Sequence, residues 1–181
     1  ILKKVFLMSL KNKIFCALDF SDIDQTIQFT HKIKNHIGGI KIGLEFFCKN
    51  GPTGVVKLKE FELPIFLDLK LHDIPNTVVK AFKNLIRLSP DYLTIHLNGG
   101  RRMIQELIPH KKKTKLIGVS MLTSLDQNDL KESGILCDEI SYIEKLTKIG
   151  VSSGIDGVVS SPKEVKLLRK KFEKLILVTP G

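Results

Sequence analysis

Seven short apolar runs punctuate the chain: IFCALD (14–19), GIKIG (39–43), IFLDLK (65–70), YLTIHL (92–97), KLIGVSML (115–122), DGVVSS (156–161) and KLILVTP (174–180). Their hydrophobicity is continuous rather than alternating, the pattern of parallel strands covered on both faces. Between the runs the period changes to that of a helix: Ile23, Ile27, Thr30, Ile33 and Ile37 share one face, and Val78, Val79, Phe82, Leu85 and Ile86 share another. Repeated β-then-α units without a break in composition predict an α/β chain of the (β/α)8 or TIM-barrel class over residues 14–181; a doubly wound open sheet would give a similar string. The expected eighth strand is absent from the sequence, which stops at TPG, so the barrel is read as C-terminally incomplete, a portion of a longer protein.

Local signals refine the frame. In SPKE, Ser161 suits an N-cap, Pro162 the first helical position and Glu164 a capping box, which predicts a helix directly after the sixth run. Gly38 and Gly39 are expected to close the first helix. Pro75 pushes Ile74 toward an extended conformation, ends the third strand region and sets a helix start near Asn76 or Thr77, leaving Asp73 on a rigid loop that can reach a neighbouring subunit. Residues 123–138 read as the longest irregular region and would lie on the C-terminal face, where such barrels keep their active-site loops.

With 181 residues, 43% of them hydrophobic, the chain can bury one sizeable core, and a single domain is expected. Residues 1–13 read as a lead-in, with ILKKVFL preceding Met8; no apolar run approaches the roughly 18 to 20 residues of a membrane span, and a cytoplasmic location is the expectation. Cys16, Cys48 and Cys137 fall outside any disulfide or zinc spacing. A formal charge of +10 suits either a nucleic-acid surface or a field that attracts small anions. The one dense basic run, HKKKTK (110–115), lacks interleaved aromatics and reads as a solvated loop.

The charges inside the apolar runs are harder to place on a structural account. Asp68 and Lys70 lie two apart on the third strand and so point the same way, while Leu67 and Leu69 point the other. Asp19 closes the first strand, Lys41 lies in the second, His96 ends the fourth and Thr123 follows the fifth, so polar groups converge on one end of the sheet. Each has a purely structural explanation: Asp19 as a helix cap near Ser21 or Asp22, Lys41 with Asp68 as a buried ion pair, His96 as a satisfied buried histidine. Burying several charges together is costly unless they are paired, and buried pairs are seldom needed for stability alone, which favours a functional cluster.

At these residues a family resemblance enters. DLKLHDIPNTV (68–78) closely resembles the signature of bacterial-type orotidine 5'-phosphate decarboxylases, and ALDF, IKIGLEFF, LTIHLNGG, GVSMLTS, DGVVSSP and VTPG resemble the family's motifs at the other strands, so that the likeness covers residues 14–181. The resemblance implies cofactor-free and metal-free decarboxylation of orotidine 5'-monophosphate to uridine 5'-monophosphate. It implies Asp68 beside the scissile carboxylate, Lys70 as the donor of the proton that replaces it at C6, and Lys41 and Asp73 as the rest of an alternating Lys-Asp-Lys-Asp array. It also implies Asp19 and Lys41 at the ribose hydroxyls, Ile74 by the pyrimidine, Thr123 at the pyrimidine edge, and Pro180 at the start of a closing loop. Asp73 and Thr77 would complete the site of a partner subunit in a homodimer, with neither nucleic acid nor membrane as a partner.

The chemistry suits these residue types. Loss of CO2 leaves carbanionic charge at C6, which a fixed ammonium stabilises; Asp68 near a substrate carboxylate would repel it by roughly 4 kcal/mol at about 4 Å and an effective dielectric of about 20. Family members place a glutamine and arginines for the phosphate beyond TPG, and none of these is in the sequence as printed, so that chain is expected to be a poor catalyst without that remote binding energy. Two alternatives stay open: a magnesium-dependent sugar-phosphate decarboxylase or synthase of the same barrel type, which shares DxKxxD but not HDIPNTV, and a non-catalytic RNA-binding barrel suggested by the net charge.

Overall fold

The computed structural model describes residues 13–181, so the lead-in expected over residues 1–13 lies outside the described residues save for Lys13. In chain order the elements are β1 (Phe15–Ala17), α1 (Ile23–Ile33), β2 (Gly39–Ile42), α2 (Leu44–Leu58), β3 (Ile65–Leu71), α3 (Pro75–Ile86), β4 (Tyr92–His96), α4 (Gly100–Leu107), β5 (Lys115–Val119), α5 (Gln127–Glu132), α6 (Glu139–Ser153), β6 (Gly157–Val159), α7 (Val165–Lys171) and β7 (Ile176–Val178). The seven strands are hydrogen-bonded in the order β1-β2-β3-β4-β5-β6-β7. That order separates the two architectures open from the sequence. A doubly wound sheet reverses its strand order at a switch point; here every strand lies beside its sequence neighbour, the connectivity of a (β/α)8 barrel. All seven expected strands are present, most of them shorter than the apolar runs that announce them. Among the described residues, no helix is long and apolar enough to cross a membrane.

The described chain divides into two compact units, one running to Leu69 and including Asn84–Leu93, the other comprising Lys70–Lys83 and Thr94–Gly181. In the first, Leu18, Ile40, Ile42, Phe46, Val55, Leu58 and Leu67 are fully buried. Phe15 packs edge-on against Tyr92 with ring centroids 5.3 Å apart, and Phe66 lies 5.6 Å from the same ring. Gly39 makes room for this cluster, since a Cβ there would lie 2.2 Å from the Phe15 ring. The Gly38–Gly39 pair does not close the first helix as expected: α1 stops at Ile33, Lys34 is its C-cap, and Gly39 already belongs to β2. The N-cap of α1 is Asp22, whose carboxylate accepts from the Gln25 N–H at 2.7 Å, so the reading of Asp19 as a cap is overturned. α2 kinks at Gly51, where φ is 57° and only a glycine sits without strain; Pro52 then starts the second half.

The second unit buries Phe82, Ile95, Leu97, Met103, Ile104, Leu107, Ile117 and Val158. α3 begins at Pro75 itself, one residue before the expected start, because the first helical position needs no N–H and the ring already holds a helical φ. Residues 123–138 are not wholly irregular: Asp126 and Asp129 form a reciprocal capping box that nucleates α5. The expected start of α7 fails in the opposite sense. The Ser161 hydroxyl accepts from the Lys163 N–H at 3.1 Å and its carbonyl from the Glu164 N–H, which closes a turn, and the helix begins only at Val165.

Two aspartates bind strand starts in the same way. In the first unit Asp91, just before β4, donates its N–H to the Ile65 carbonyl (2.9 Å) and accepts the Ile65 N–H on Oδ2 (2.8 Å). In the second, Asp156, just before β6, donates to the Leu116 carbonyl (2.9 Å) and accepts the Leu116 N–H on Oδ2 (2.9 Å). Asp156 also pairs with Lys111 at 2.6 Å and Lys115 at 3.5 Å. Burial opposes the charge on Asp156, but the Lys111 ammonium, the Leu116 N–H and Lys115 outweigh it and hold the carboxyl below its ordinary range. Two lysines of the HKKKTK run are therefore engaged with Asp156, and the run is only in part the solvated loop expected of it.

Candidate active site

The first unit gathers three of the expected charged residues. β1 ends at Ala17, and the Leu18 N–H continues the ladder to the Lys41 carbonyl at 2.9 Å, which brings Asp19 beside β2. The loop that follows is tied to α2: the Ser21 hydroxyl donates to Glu45 at 2.9 Å, and the Asn50 amide donates to the Ser21 carbonyl at 3.0 Å. Lys41 stands in β2, where Ile40 and Ile42 on either side are fully buried and fix its direction. Its ammonium lies 3.5 Å from Asp19 Oδ1 and 3.6 Å from Asp68 Oδ2, so one cation is shared by two carboxylates. The Asp68 side chain is 13% exposed and the Asp19 side chain 58%. Asp68 is thus the largely desolvated member of the trio, whereas Asp19 faces solvent, where a ligand could replace water. The field of the cluster reaches Cys16, whose thiol is pushed up by burial first and by Asp19 second, against the opposing charge of Lys41.

The alternative reading of Lys41 and Asp68 as a buried ion pair is therefore met in its geometry, with two qualifications. The pair is incompletely buried, and it includes Asp19. A cation shared at 3.5 and 3.6 Å makes looser contacts than the usual 2.7–2.9 Å of a charge-assisted hydrogen bond. The Lys41 side chain is itself 25% exposed, so the cluster is open to solvent at the cation as well as at Asp19.

In the second unit, Lys70 is half-buried near the end of β3, and its backbone is unusual. Four non-glycine residues among those described have a positive φ; Glu62, Ser89 and Lys112 lie in loops, whereas Lys70, at 48°, lies within a strand. Its N–H is accepted by the Thr94 hydroxyl at 2.8 Å. Thr94, in β4, is fully buried. His72 and His96 lie in a tilted arrangement with ring centroids 5.3 Å apart and planes inclined by 36°, so His96 neighbours a second imidazole rather than being simply sequestered in the core. Asp73 is exposed and accepts the N–H of Ile74 at 2.6 Å, which fixes its carboxylate on the turn into α3. Ile74 is 67% exposed, and Thr77, in the first turn of α3, donates its N–H to the Ile74 carbonyl. Thr123 and Pro180 are both exposed, past the ends of β5 and β7.

Thr94 and the pairing of His72 with His96 were not singled out from the sequence. Their signal is weak: Thr94 is one polar residue in an apolar run, and threonine is an ordinary strand residue.

Comparison with known proteins gives the relationships of the chain as a whole. A protein from Sphingopyxis alaskensis named orotidine 5'-phosphate decarboxylase is 44% identical over 169 residues, covering 93% of this chain and 75% of that protein. One of the same name from Erythrobacter litoralis is 39% identical over 173 residues, covering 95% and 77%. The crystal structure of orotidine 5'-phosphate decarboxylase from Lactobacillus acidophilus superposes with a TM-score of 0.85 at 32% identity, covering 93% of this chain and 80% of that one, and the α/β, TIM-barrel fold class is shared with it. The family model described as "Orotidine 5'-phosphate decarboxylase / HUMPS family" matches residues 12–181, and the chain belongs to that family.

Proposed function

We propose that the protein decarboxylates orotidine 5'-monophosphate to uridine 5'-monophosphate without a cofactor, in pyrimidine nucleotide synthesis. The observation that carries this reading is the ammonium of Lys41 shared by Asp19 and Asp68, two residues before Lys70 on β3. Charges arranged in this manner on strand ends suit a reaction whose transition state is a localised carbanion.

In this reading Asp68 lies against the carboxylate of the substrate. The bond from C6 to the carboxyl carbon breaks heterolytically, CO2 departs, and the electron pair stays on C6. The Lys70 ammonium stabilises that pair and then transfers a proton to it; the resulting neutral amine regains a proton from water. Lys41 holds Asp68 in place and, with the exposed Asp19, meets the ribose hydroxyls. Ile74 covers one side of the pyrimidine, Thr123 bonds its edge, and Pro180 opens a loop that closes over base and phosphate. Asp73 and Thr77, exposed on the turn into α3, complete the array in a partner subunit. The protein is read as a cytoplasmic homodimer with a single catalytic domain over residues 14–181, binding neither nucleic acid nor membrane.

The engagement of Lys111 by Asp156 at 2.6 Å weighs against the RNA-binding alternative, because it withdraws one cation from the basic run. The magnesium-dependent alternative is separated by experiment. The full-length protein is given orotidine 5'-monophosphate in excess chelator and the ultraviolet change of the pyrimidine is followed. Rapid conversion is expected; no conversion by folded protein, with activity on a sugar phosphate restored by magnesium, would replace this reading with the other.

A further inference from the structure

We propose that Thr94 is a positioning residue for Lys70: its buried hydroxyl holds the lysine backbone in the left-handed conformation from which the ammonium is directed. The inference rests on the reading of Lys70 as the proton donor, and goes beyond it by naming what sets the lysine's direction.

A residue inside a strand ordinarily has an extended backbone, and a non-glycine residue in the left-handed region persists only where its surroundings over-determine it. Lys70 has a φ of 48° within β3. Its N–H, turned by that conformation, is accepted by Thr94 Oγ1 at 2.8 Å. The acceptor is itself well fixed. Thr94 is fully buried, lies in β4 between the fully buried Leu93 and Ile95, and is β-branched, with few χ1 rotamers open to it. A side chain leaves a left-handed residue in a different direction from an extended one, so relaxation of φ would carry the ammonium away from its place at the end of the strand. An ammonium that stabilises a carbanion electrostatically must already be aimed before the charge develops. The strain is thus placed on the residue whose direction matters, and the hydroxyl of its neighbour maintains it.

The test is Thr94→Val in the full-length protein, which keeps shape and volume and removes the acceptor. A fall in kcat of about 10- to 100-fold is expected, the scale on which a misplacement of about 1 Å acts, with KM within about threefold of the parent. Thr94→Ser, which retains the acceptor, is expected to recover most of the lost kcat. A hydroxyl with a merely structural role would lower the melting temperature of Thr94→Val while leaving kcat unchanged, and that result would overturn the proposal, as would a loss confined to KM or a Thr94→Ser variant as impaired as Thr94→Val. If Thr94→Val does not fold, Thr94→Cys replaces it, since its thiol is a weak acceptor; the same loss of kcat is expected, and wild-type kcat overturns the inference. Lys70→Ala is assayed alongside. An active Lys70→Ala would refute the assignment of the proton donor, whereas an inactive Lys70→Ala with a fully active Thr94→Val would refute the role of Thr94 alone.

Discussion

Replacing Asp156 by asparagine tests how the second unit is held together, and the expected effect can be worked through from the contacts. The carboxylate makes a charge-assisted hydrogen bond to Lys111 at 2.6 Å, a longer contact to Lys115 at 3.5 Å, and accepts the Leu116 N–H at 2.9 Å. Asparagine keeps the shape and can still accept from Leu116, so the loss is confined to the two cations. A hydrogen bond to a charged group contributes about 1.5–3 kcal/mol. The Lys111 side chain is 23% exposed, which argues for the middle of that range; Lys115, 52% exposed, adds little after screening by solvent. A destabilisation of about 2 kcal/mol near neutral pH follows. Its pH dependence has a definite sign. The folded-state pKa of Asp156 lies below the unfolded value, so the unfolded chain takes up the proton first as pH falls. The stabilisation is fully present above the unfolded value of about 3.9 and is lost as pH drops through the folded value. Urea unfolding of parent and variant at pH 7, 5 and 3.5 measures this, with equal m-values required for the comparison. The gap in stability should be unchanged from pH 7 to 5 and narrow at 3.5. Coincident midpoints at pH 7, or a gap that persists undiminished under acid, would refute the reasoning.

Other expectations concern the candidate site and the packing around it. Lys70→Ala should abolish turnover while leaving the unfolding free energy within about 1 kcal/mol of the parent; near-normal decarboxylation would sink the assignment. Lys41→Ala leaves the largely desolvated Asp68 without the cation at 3.6 Å, and should lower kcat/KM by at least about 100-fold, equivalent to roughly 2.7 kcal/mol of transition-state stabilisation; steady-state kinetics would reveal a smaller loss. Mixing inactive Lys70→Ala with inactive Asp73→Asn should restore part of the activity, because heterodimers would hold one intact composite site; no recovery after demonstrated subunit exchange would show that sites are not shared. Gly39→Val should destabilise by about 1–3 kcal/mol through overpacking against the Phe15 ring, read from the shift in urea midpoint.

The strands were legible because each is an apolar run long enough to be covered on both faces, and their alternation with helices implies parallel pairing; their order was not, because a doubly wound sheet alternates in the same way. What the sequence did not reveal lies in competition between local bonds. Ser161 has every attribute of a helix cap, yet its hydroxyl is taken by Lys163 in a turn, and Glu164 becomes the N-cap without a side-chain bond. Gly38 and Gly39 look like a helix terminator, yet the absence of a side chain at Gly39 serves the Phe15 ring, which only tertiary packing reveals. At the site, the charges of Asp19, Lys41 and Asp68 stood out because charge within an apolar strand is costly. Thr94 was invisible for the opposite reason: a threonine in a strand has no cost to explain, and its partner is a backbone N–H that has no letter in the sequence. The left-handed backbone of Lys70 was equally hidden, since lysine carries no preference for it.

The paired rings made by Asp91 with Ile65 and by Asp156 with Leu116 have a consequence for how such a chain tolerates change. Each ring closes at the N-terminal end of a strand pair, away from the residues assigned to chemistry, and specifies which residue of one strand stands beside which residue of the next. A slip by one residue would turn every side chain of the strand to the other face. By carrying its own alignment instruction, a β-α-β segment frees the opposite strand end to exchange residues without losing register. New substrate contacts could then be tried at that end while the sheet that presents them stays in place.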